Sequence, residues 1–142
     1  MVRLTAISAT MHSLYLYEGH DFSASKCIEG LTDNANGWNC CVTVVDVDDP
    51  WLSLQFAAGT SVSEVLVYPR EDCCQNRLSP FEIWLANDPG PPNVMDGAVQ
   101  CGGGRVSVPE TLGPHRVPCN GLASYVTMRL PGQMRLLVIA EL

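Results

Sequence analysis

The chain breaks into short apolar runs separated by turn residues, and this pattern limits the folds that are open to it. Ten prolines and twelve glycines interrupt runs that are rich in valine, leucine, threonine and aromatic residues. In the runs Trp51 to Phe56 and Phe81 to Leu85, apolar and polar residues alternate, as they do in a strand with one buried face. Helical periodicity is scarce. The sequence therefore predicts an all-β sandwich or barrel.

The same pattern assigns the remaining elements. Strands are predicted over residues 3–10, 61–68, 125–130 and 134–142, and one helical turn is predicted within residues 23–31. Gly59 and Thr60 are predicted to reverse the chain. Two separate strands, before and after these two residues, would then be joined by a turn.

Size and charge limit the class of partner. With 142 residues, the chain is expected to form one domain over residues 1–142 and to bury a proper core. Its net charge of −7 argues against nucleic acid or an anionic membrane as partner, because both need clustered lysine and arginine. No apolar run approaches the roughly 20 residues that a membrane span requires. We therefore expect neither nucleic-acid binding nor membrane insertion.

Seven cysteines are many for a chain of this length. None forms a Cys-x-x-Cys pair, so a zinc ribbon or a thioredoxin-type site lacks its usual motif. Disulfides formed in an oxidising compartment account for them better, and Cys101 and Cys119, which are 18 residues apart, are sensible partners. The residues from Met1 to Leu4 lack the apolar core of a signal peptide. Together these features predict an extracellular or cell-surface domain cut from a longer protein.

The octapeptide REDCCQNR, which starts at Arg70, carries the most specific chemistry. Arg70 and Arg77 each present a planar fork of donors that suits paired oxygen acceptors, and Asp72 can hold such a fork in place. Cys73 and Cys74, if joined to each other, form a small, weakly polar plate. Donors beside such a plate suit a sugar, which has hydroxyls at its edge and C–H groups on its face. The alternative is a surface loop with an ordinary salt bridge and two cysteines bonded to different partners.

A turn-rich loop over residues 32–39 is crowded with oxygen atoms. Asp33, Asn34 and Asn36 could contribute to a calcium site, since calcium takes side-chain and backbone oxygens together. The loop has only one carboxylate and does not match an EF-hand. The alternative is a loop whose side chains hydrogen-bond their own backbone, and the spacing by itself favours that interpretation.

No catalytic motif is present in the sequence. His12, His20 and His115 do not lie in a recognisable catalytic or metal-binding pattern. Carboxylates such as Asp48 and Asp49 concentrate in loops, where solvation explains them. A glycosidase could draw two carboxylates from distant strands, but we expect a binding protein and not an enzyme.

Taken in order, these motifs resemble an F-type lectin, or fucolectin, domain. The pattern Arg-x-Asp-Cys-Cys-x-x-Arg is specific within its framework, and the match extends from about Leu4 to Leu142. The framework consists of these further stretches: residues 41–56, 61–68, 77–78, 81–83 and 125–132, together with Cys101-Gly102, Cys119 and Glu141.

The resemblance implies a discoidin-like β-sandwich of the jelly-roll kind, with short helical turns. It also implies calcium-supported binding of a terminal sugar, often α-L-fucose, among loops at one end. Arg70 and Arg77 would donate to sugar oxygens, Asp72 would orient them, and a Cys73–Cys74 disulfide would pack on the sugar. Such a module often acts as an oligomer, which raises the strength of binding to a glycan surface.

The calcium ion implied by the resemblance would be held by residues that are far apart in the chain. They are the loop with Asp33, Asn34 and Asn36, the backbone near Cys40, and Glu141. Calcium would lock the loop beside the sugar cleft, which is a structural role.

The sequence departs from the family pattern at two positions. Thr43 stands about where the family has a sugar-binding histidine, and a shorter side chain with one hydroxyl loses or relays a hydrogen bond. Ala140 stands where many members have a cysteine bonded to the one that matches Cys41, so Cys27 would pair with Cys40 or Cys41 instead. The first departure leaves an alternative function: a discoidin-like protein-interaction or adhesion module that no longer binds fucose.

Overall fold

A computed structural model describes residues 6–12, 41–42, 48–67, 80–92, 97–102, 115–133 and 138–139. Within these residues the chain forms seven strands: β1 (Ser8–Met11), β2 (Cys41–Val42), β3 (Trp51–Val67), β4 (Glu82–Ala86), β5 (Val99–Gln100), β6 (His115–Arg129) and β7 (Val138–Ile139). Each pairing between them is antiparallel. The all-β prediction is confirmed.

The strands form a five-stranded sheet and a two-stranded sheet. The larger sheet has the order β1-β3-β6-β4-β5, and the smaller one pairs β2 with β7. Strand β6 is central, and β3 and β4 are both antiparallel to it. β3 and β4 therefore run in the same direction on either side of β6. The end of β3 and the start of β4 consequently lie at opposite ends of the sheet.

The apolar residues of the alternating runs form the core. Leu52 and Leu54 of β3 pack with Ile83 of β4 and Met128 of β6, and Phe81 lies directly before β4. All five side chains are nearly or fully buried. Burial of a side chain of this size contributes roughly 1.5–3 kcal/mol, so the burial of this face stabilises the sheet.

The predicted chain reversal at Gly59 and Thr60 is wrong. The first half of β3 pairs with β6 from Trp51↔Arg129 to Gln55↔Tyr125, and its second half continues along the same strand from Thr60↔Ala123. The residues between Gln55 and Thr60 form an irregularity in the ladder, and Gly59 has a φ of 75°. A glycine in a left-handed conformation serves a bulge as well as a hairpin turn, so the residue type did not separate the two.

Strand β6 is longer than predicted because it begins at His115 and not at Tyr125. Within this longer strand, Pro118 lies opposite Glu64 beside a second irregularity in the β3–β6 register, where a proline is tolerated. The Cys101–Cys119 disulfide is confirmed and joins the residue after β5 to β6. The predicted strand over residues 3–10 corresponds to β1, and the one over 134–142 contains β7.

Candidate functional site

The predicted site residues lie outside the described residues. For the sugar site these are Thr43, Arg70, Asp72, Cys73, Cys74 and Arg77. For the calcium site they are Asp33, Asn34, Asn36, Cys40 and Glu141. The predicted helical turn within residues 23–31 and the pairing of Cys27 lie outside them too. The structure describes the strands and turns that precede and follow these segments in the chain.

Two of these segments return to the framework at the same end of the five-stranded sheet. The segment that contains Thr43 follows β2 and ends before Asp48, and the segment with both candidate arginines follows β3 and ends before Pro80. Asp49 and Glu82, which lie within the first three described residues after those two segments, both contact the side chain of Arg129 at the end of β6.

Arg129 is the centre of a buried ionic network. One terminal nitrogen of its guanidinium lies 2.8 Å from Oε1 of Glu82, and the other lies 3.1 Å from Oδ1 of Asp49. Nε1 of Trp84 donates a hydrogen bond of 3.0 Å to the same Oε1 of Glu82. Glu82 and Arg129 face each other directly across β4 and β6, so the strand register itself brings the two charges together.

Asp49 lies in a tight turn that is bonded to the chain beyond β6. Its φ is 47°, in the left-handed region that aspartate tolerates better than most residues. The backbone N–H of Asp49 donates to the carbonyl of Gly132 at 2.9 Å, and the N–H of Gly132 donates to Oδ1 of Asp49 at 2.7 Å. A third bond, from the N–H of Leu130 to the carbonyl of Pro50, measures 2.9 Å. The turn is thereby fixed against the end of β6.

The sheet face that carries Glu82 and Arg129 is covered by protein at its middle. Ser53 and Thr127 are fully buried, and their hydroxyls share a hydrogen bond of 2.7 Å. The N–H of Gly90 donates to the Ser53 hydroxyl at 3.1 Å, so the loop after β4 lies over the pair. A ligand does not reach the sheet at this position.

The β2–β7 pair brings together two distant parts of the chain. Cys41 lies opposite Ile139, and Val42 lies opposite Val138. Cys40 is the residue before Cys41, and Glu141 follows Ile139 by two residues. Two of the predicted calcium ligands are therefore near neighbours in sequence of two residues that this strand pair brings opposite each other.

Sequence reasoning missed the network around Arg129. Asp49 was interpreted as a solvated loop carboxylate, and Glu82 only as a residue on the face opposite the core. A signal was present, because Glu82 and Arg129 are the charged residues of two predicted strands, with opposite sign and on the polar face of each. The order of the strands in the sheet was needed to pair them.

Two searches of the described residues were negative. In the part of the chain that the structure describes, no group of three or more histidine, cysteine, aspartate or glutamate side chains is placed to hold a metal ion. The same residues include no helix with the length and apolar character needed to cross a membrane.

Known proteins resemble this chain over nearly its whole length. The fucolectin from striped bass (Morone saxatilis) serum superposes with a TM-score of 0.78 at 26% sequence identity, over 94% of this chain and 44% of that one. The fold is that of the F-type fucolectins. A fucose-binding module of Streptococcus pneumoniae has a TM-score of 0.75 at 19% identity, over 97% of this chain and 91% of that one. The resemblance and the discoidin-like fold predicted from the sequence are confirmed.

Two further proteins are similar to this chain. The family 32 carbohydrate-binding module of Clostridium perfringens NanJ, determined with galactose, has a TM-score of 0.69 at 20% identity, over 96% of this chain and 95% of that one. A pentraxin fusion protein of Xenopus laevis is 28% identical over 127 residues, which is 88% of this chain and 29% of that protein. The chain thus spans less than half of both the fucolectin and the pentraxin fusion protein. No family model matches it.

Proposed function

We propose that the chain is a calcium-dependent carbohydrate-binding module that recognises a terminal sugar, L-fucose or a related glycan. The observation that carries this proposal is the similarity to the serum fucolectin over 94% of the chain. The octapeptide that starts at Arg70 supports it, because its two arginines, aspartate and adjacent cysteines suit a sugar edge and face. Binding takes place without turnover of the sugar.

Each residue of the proposed sugar site has a distinct role. Arg70 and Arg77 donate hydrogen bonds to sugar oxygens, and Asp72 orients their guanidinium groups. The Cys73–Cys74 plate packs against the C–H face of the sugar. Thr43 contributes one hydroxyl in place of the family histidine, so it selects among related sugars.

The proposed calcium site joins the N-terminal loop to the C-terminus of the domain. Asp33, Asn34, Asn36 and the backbone of Cys40 supply oxygens from one side, and Glu141 supplies its carboxylate from the other. The β2–β7 pairing supports this arrangement, because Cys41 and Ile139 face each other beside two of these ligands. We place the module outside the cell, where calcium is abundant and the Cys101–Cys119 disulfide is stable.

A glycan array at millimolar calcium, repeated in EDTA, tests the proposal. The protein is presented as a multivalent preparation, because a single weak site is amplified by avidity. We expect signal on a related set of terminal sugars and loss of that signal in EDTA. Signal that persists in EDTA would refute the calcium dependence. A blank array from folded protein would refute the sugar-binding function.

The role of Arg77 is tested by comparison with another arginine. We expect Arg77→Ala to abolish retention on the sugar that the array identifies, with a nearly unchanged melting temperature. Arg116→Ala is the matched control, since Arg116 lies on the surface of β6 in an ion pair with Glu64. Equal loss in both variants would indicate a general effect of charge. A large drop in melting temperature of Arg77→Ala would make that residue structural.

A second candidate function rests on Thr43. A module that lacks the family histidine could have exchanged fucose binding for protein interaction or adhesion. Thr43→His distinguishes the two candidates, because a restored imidazole should strengthen fucose binding about five- to tenfold if it regains one hydrogen bond. No gain, together with a blank array, would favour the interaction module.

A further inference from the structure

The buried Arg129–Glu82 pair needs a physical explanation beyond stability. Transfer of two charges from water to a protein interior costs several kcal/mol per ion, and their attraction repays this only with good geometry. Apolar residues of similar volume at such positions are often neutral or stabilising. An apolar pair at this register would therefore hold β4 and β6 together equally well. What the ionic pair adds is directional bonding.

The directional bonds of Arg129 extend to a third element. The guanidinium is planar, so its contacts with Glu82 and Asp49 fix the position of one carboxylate relative to the other. Trp84 holds Glu82 from a second direction. Gly132 holds Asp49 from a second direction as well. The turn before β3 and the start of β4 are thereby locked to the same side chain.

These two locked positions are the return points of the segments that carry the candidate sugar ligands. Asp48, the neighbour of Asp49, lies five residues after Thr43, and Glu82 lies five residues after Arg77. Thr43 and Arg77 are therefore each joined to a locked position by only a few residues of chain. Contacts in a sugar site depend on hydrogen-bond distances, so a shift of about 1 Å is enough to weaken them.

We propose that Arg129 is a positioning residue for sugar binding: its guanidinium locks the Asp49 turn and the start of β4 to the end of β6, and Thr43 and Arg77 lie a few residues before these two positions in the chain. This inference rests on the proposed function for its effect on affinity. The anchoring itself is a property of the free protein and can be measured without a sugar.

The test replaces the ionic pair without leaving a buried charge. In the double variant Arg129→Met/Glu82→Leu, apolar side chains fill the space, and the directional link to Asp49 is lost. The matched control is Arg116→Met/Glu64→Leu, which removes the other arginine–glutamate pair of β6. Both proteins are compared with wild type in full length and with calcium present.

The first measurement is amide hydrogen exchange by mass spectrometry in the absence of sugar. We expect the Arg129 double variant to exchange at least about tenfold faster in residues 48–50 and 81–83, which contain the two carboxylates that Arg129 holds, with unchanged protection in the middle of β3 and β6, because local opening reports local stability. The control variant should match wild type in both segments. Unchanged exchange in the Arg129 double variant would overturn the anchoring.

The second measurement is the affinity for methyl α-L-fucoside, or for the terminal sugar that gives the strongest array signal, by calorimetry. We expect Kd to rise at least about tenfold in the Arg129 double variant at a melting temperature close to that of wild type, and to stay unchanged in the control. Faster exchange with an unchanged Kd would overturn the positioning role and leave sugar binding intact. Wild-type protein that binds no sugar would refute the proposed function, and the exchange result would then still decide the anchoring.

If the double variant does not fold, Arg129→Lys takes its place. A lysine keeps the charge but presents one ammonium, which cannot reproduce the planar fork between two carboxylates. We expect the same local increase in exchange at smaller amplitude. Wild-type exchange and affinity in Arg129→Lys would overturn the proposal.

Discussion

Strand β6 carries two arginine–glutamate pairs, one near each end, that differ in their surroundings. Arg116 lies 3.1 Å from Glu64 across β3 and β6, with 65% of the arginine side chain and 22% of the glutamate exposed. Arg129 lies 2.8 Å from Glu82 across β6 and β4, with 11% and 5% exposed. The chemistry and the distance are nearly the same. The sheet position differs: among the described residues, Arg129 pairs with Trp51 of β3 and Glu82 of β4, whereas Arg116 pairs with Leu66 of β3 alone.

The difference in burial changes what each pair contributes. In water the attraction between two charges 4 Å apart is only about 1 kcal/mol, and side-chain entropy and salt reduce it further. The Arg116 pair is therefore expected to contribute little to stability. In the buried pair every uncompensated charge is costly, which explains why Glu82 has Trp84 as a second partner and Arg129 has Asp49. Burial makes the second pair sensitive to the loss of any one member.

The largest expected effect comes from removing one member of the buried pair. Among the described residues, Glu82→Ala leaves the buried Arg129 charge with the half-exposed Asp49 as its one remaining counter-ion, so we expect a loss of about 3–5 kcal/mol in the free energy of unfolding. Urea denaturation followed by tryptophan fluorescence measures it. Glu64→Ala is the control and should lose less than about 1 kcal/mol. A similar small loss in both variants would show that burial does not separate the two pairs.

An intermediate effect is expected at Asp49. Asp49→Ala removes the acceptor for the N–H of Gly132 and one contact of Arg129 from a turn with a left-handed φ, and we expect a loss of about 1–2 kcal/mol. The carboxylate is half exposed, which keeps the effect below that of Glu82.

Asp49→Asn is the matched control for this prediction. Asparagine keeps the oxygen that faces Gly132 and tolerates the same φ, so it should retain at least half of the stability that alanine loses. Equal losses in the two variants, measured by the same denaturation, would assign the effect to the charge alone.

The sequence predicted the fold from features that act locally. Alternation identified Leu52, Leu54 and Ile83 as core residues because a strand with one buried face has a period of two. Gly59 was misassigned because a left-handed glycine satisfies a bulge and a hairpin turn alike. The Arg129 network could not be predicted, since Glu82 and Arg129 are 47 residues apart and meet only through the strand order.

The smallest expected effect completes the comparison. Arg116→Ala removes an exposed cation, and we expect a change of less than about 1 kcal/mol in the free energy of unfolding. This small contribution should also fade with salt, because the Debye length falls from about 10 Å at 0.1 M to about 3 Å at 1 M. The free energy of unfolding is measured at both ionic strengths. The difference between wild type and Arg116→Ala should shrink at high salt. The larger difference between wild type and Glu82→Ala should persist, because the solvent does not screen a buried charge. If the Glu82→Ala difference shrinks to the same extent, the Arg129 pair is reached by solvent ions, and its proposed role as a rigid anchor loses its physical basis.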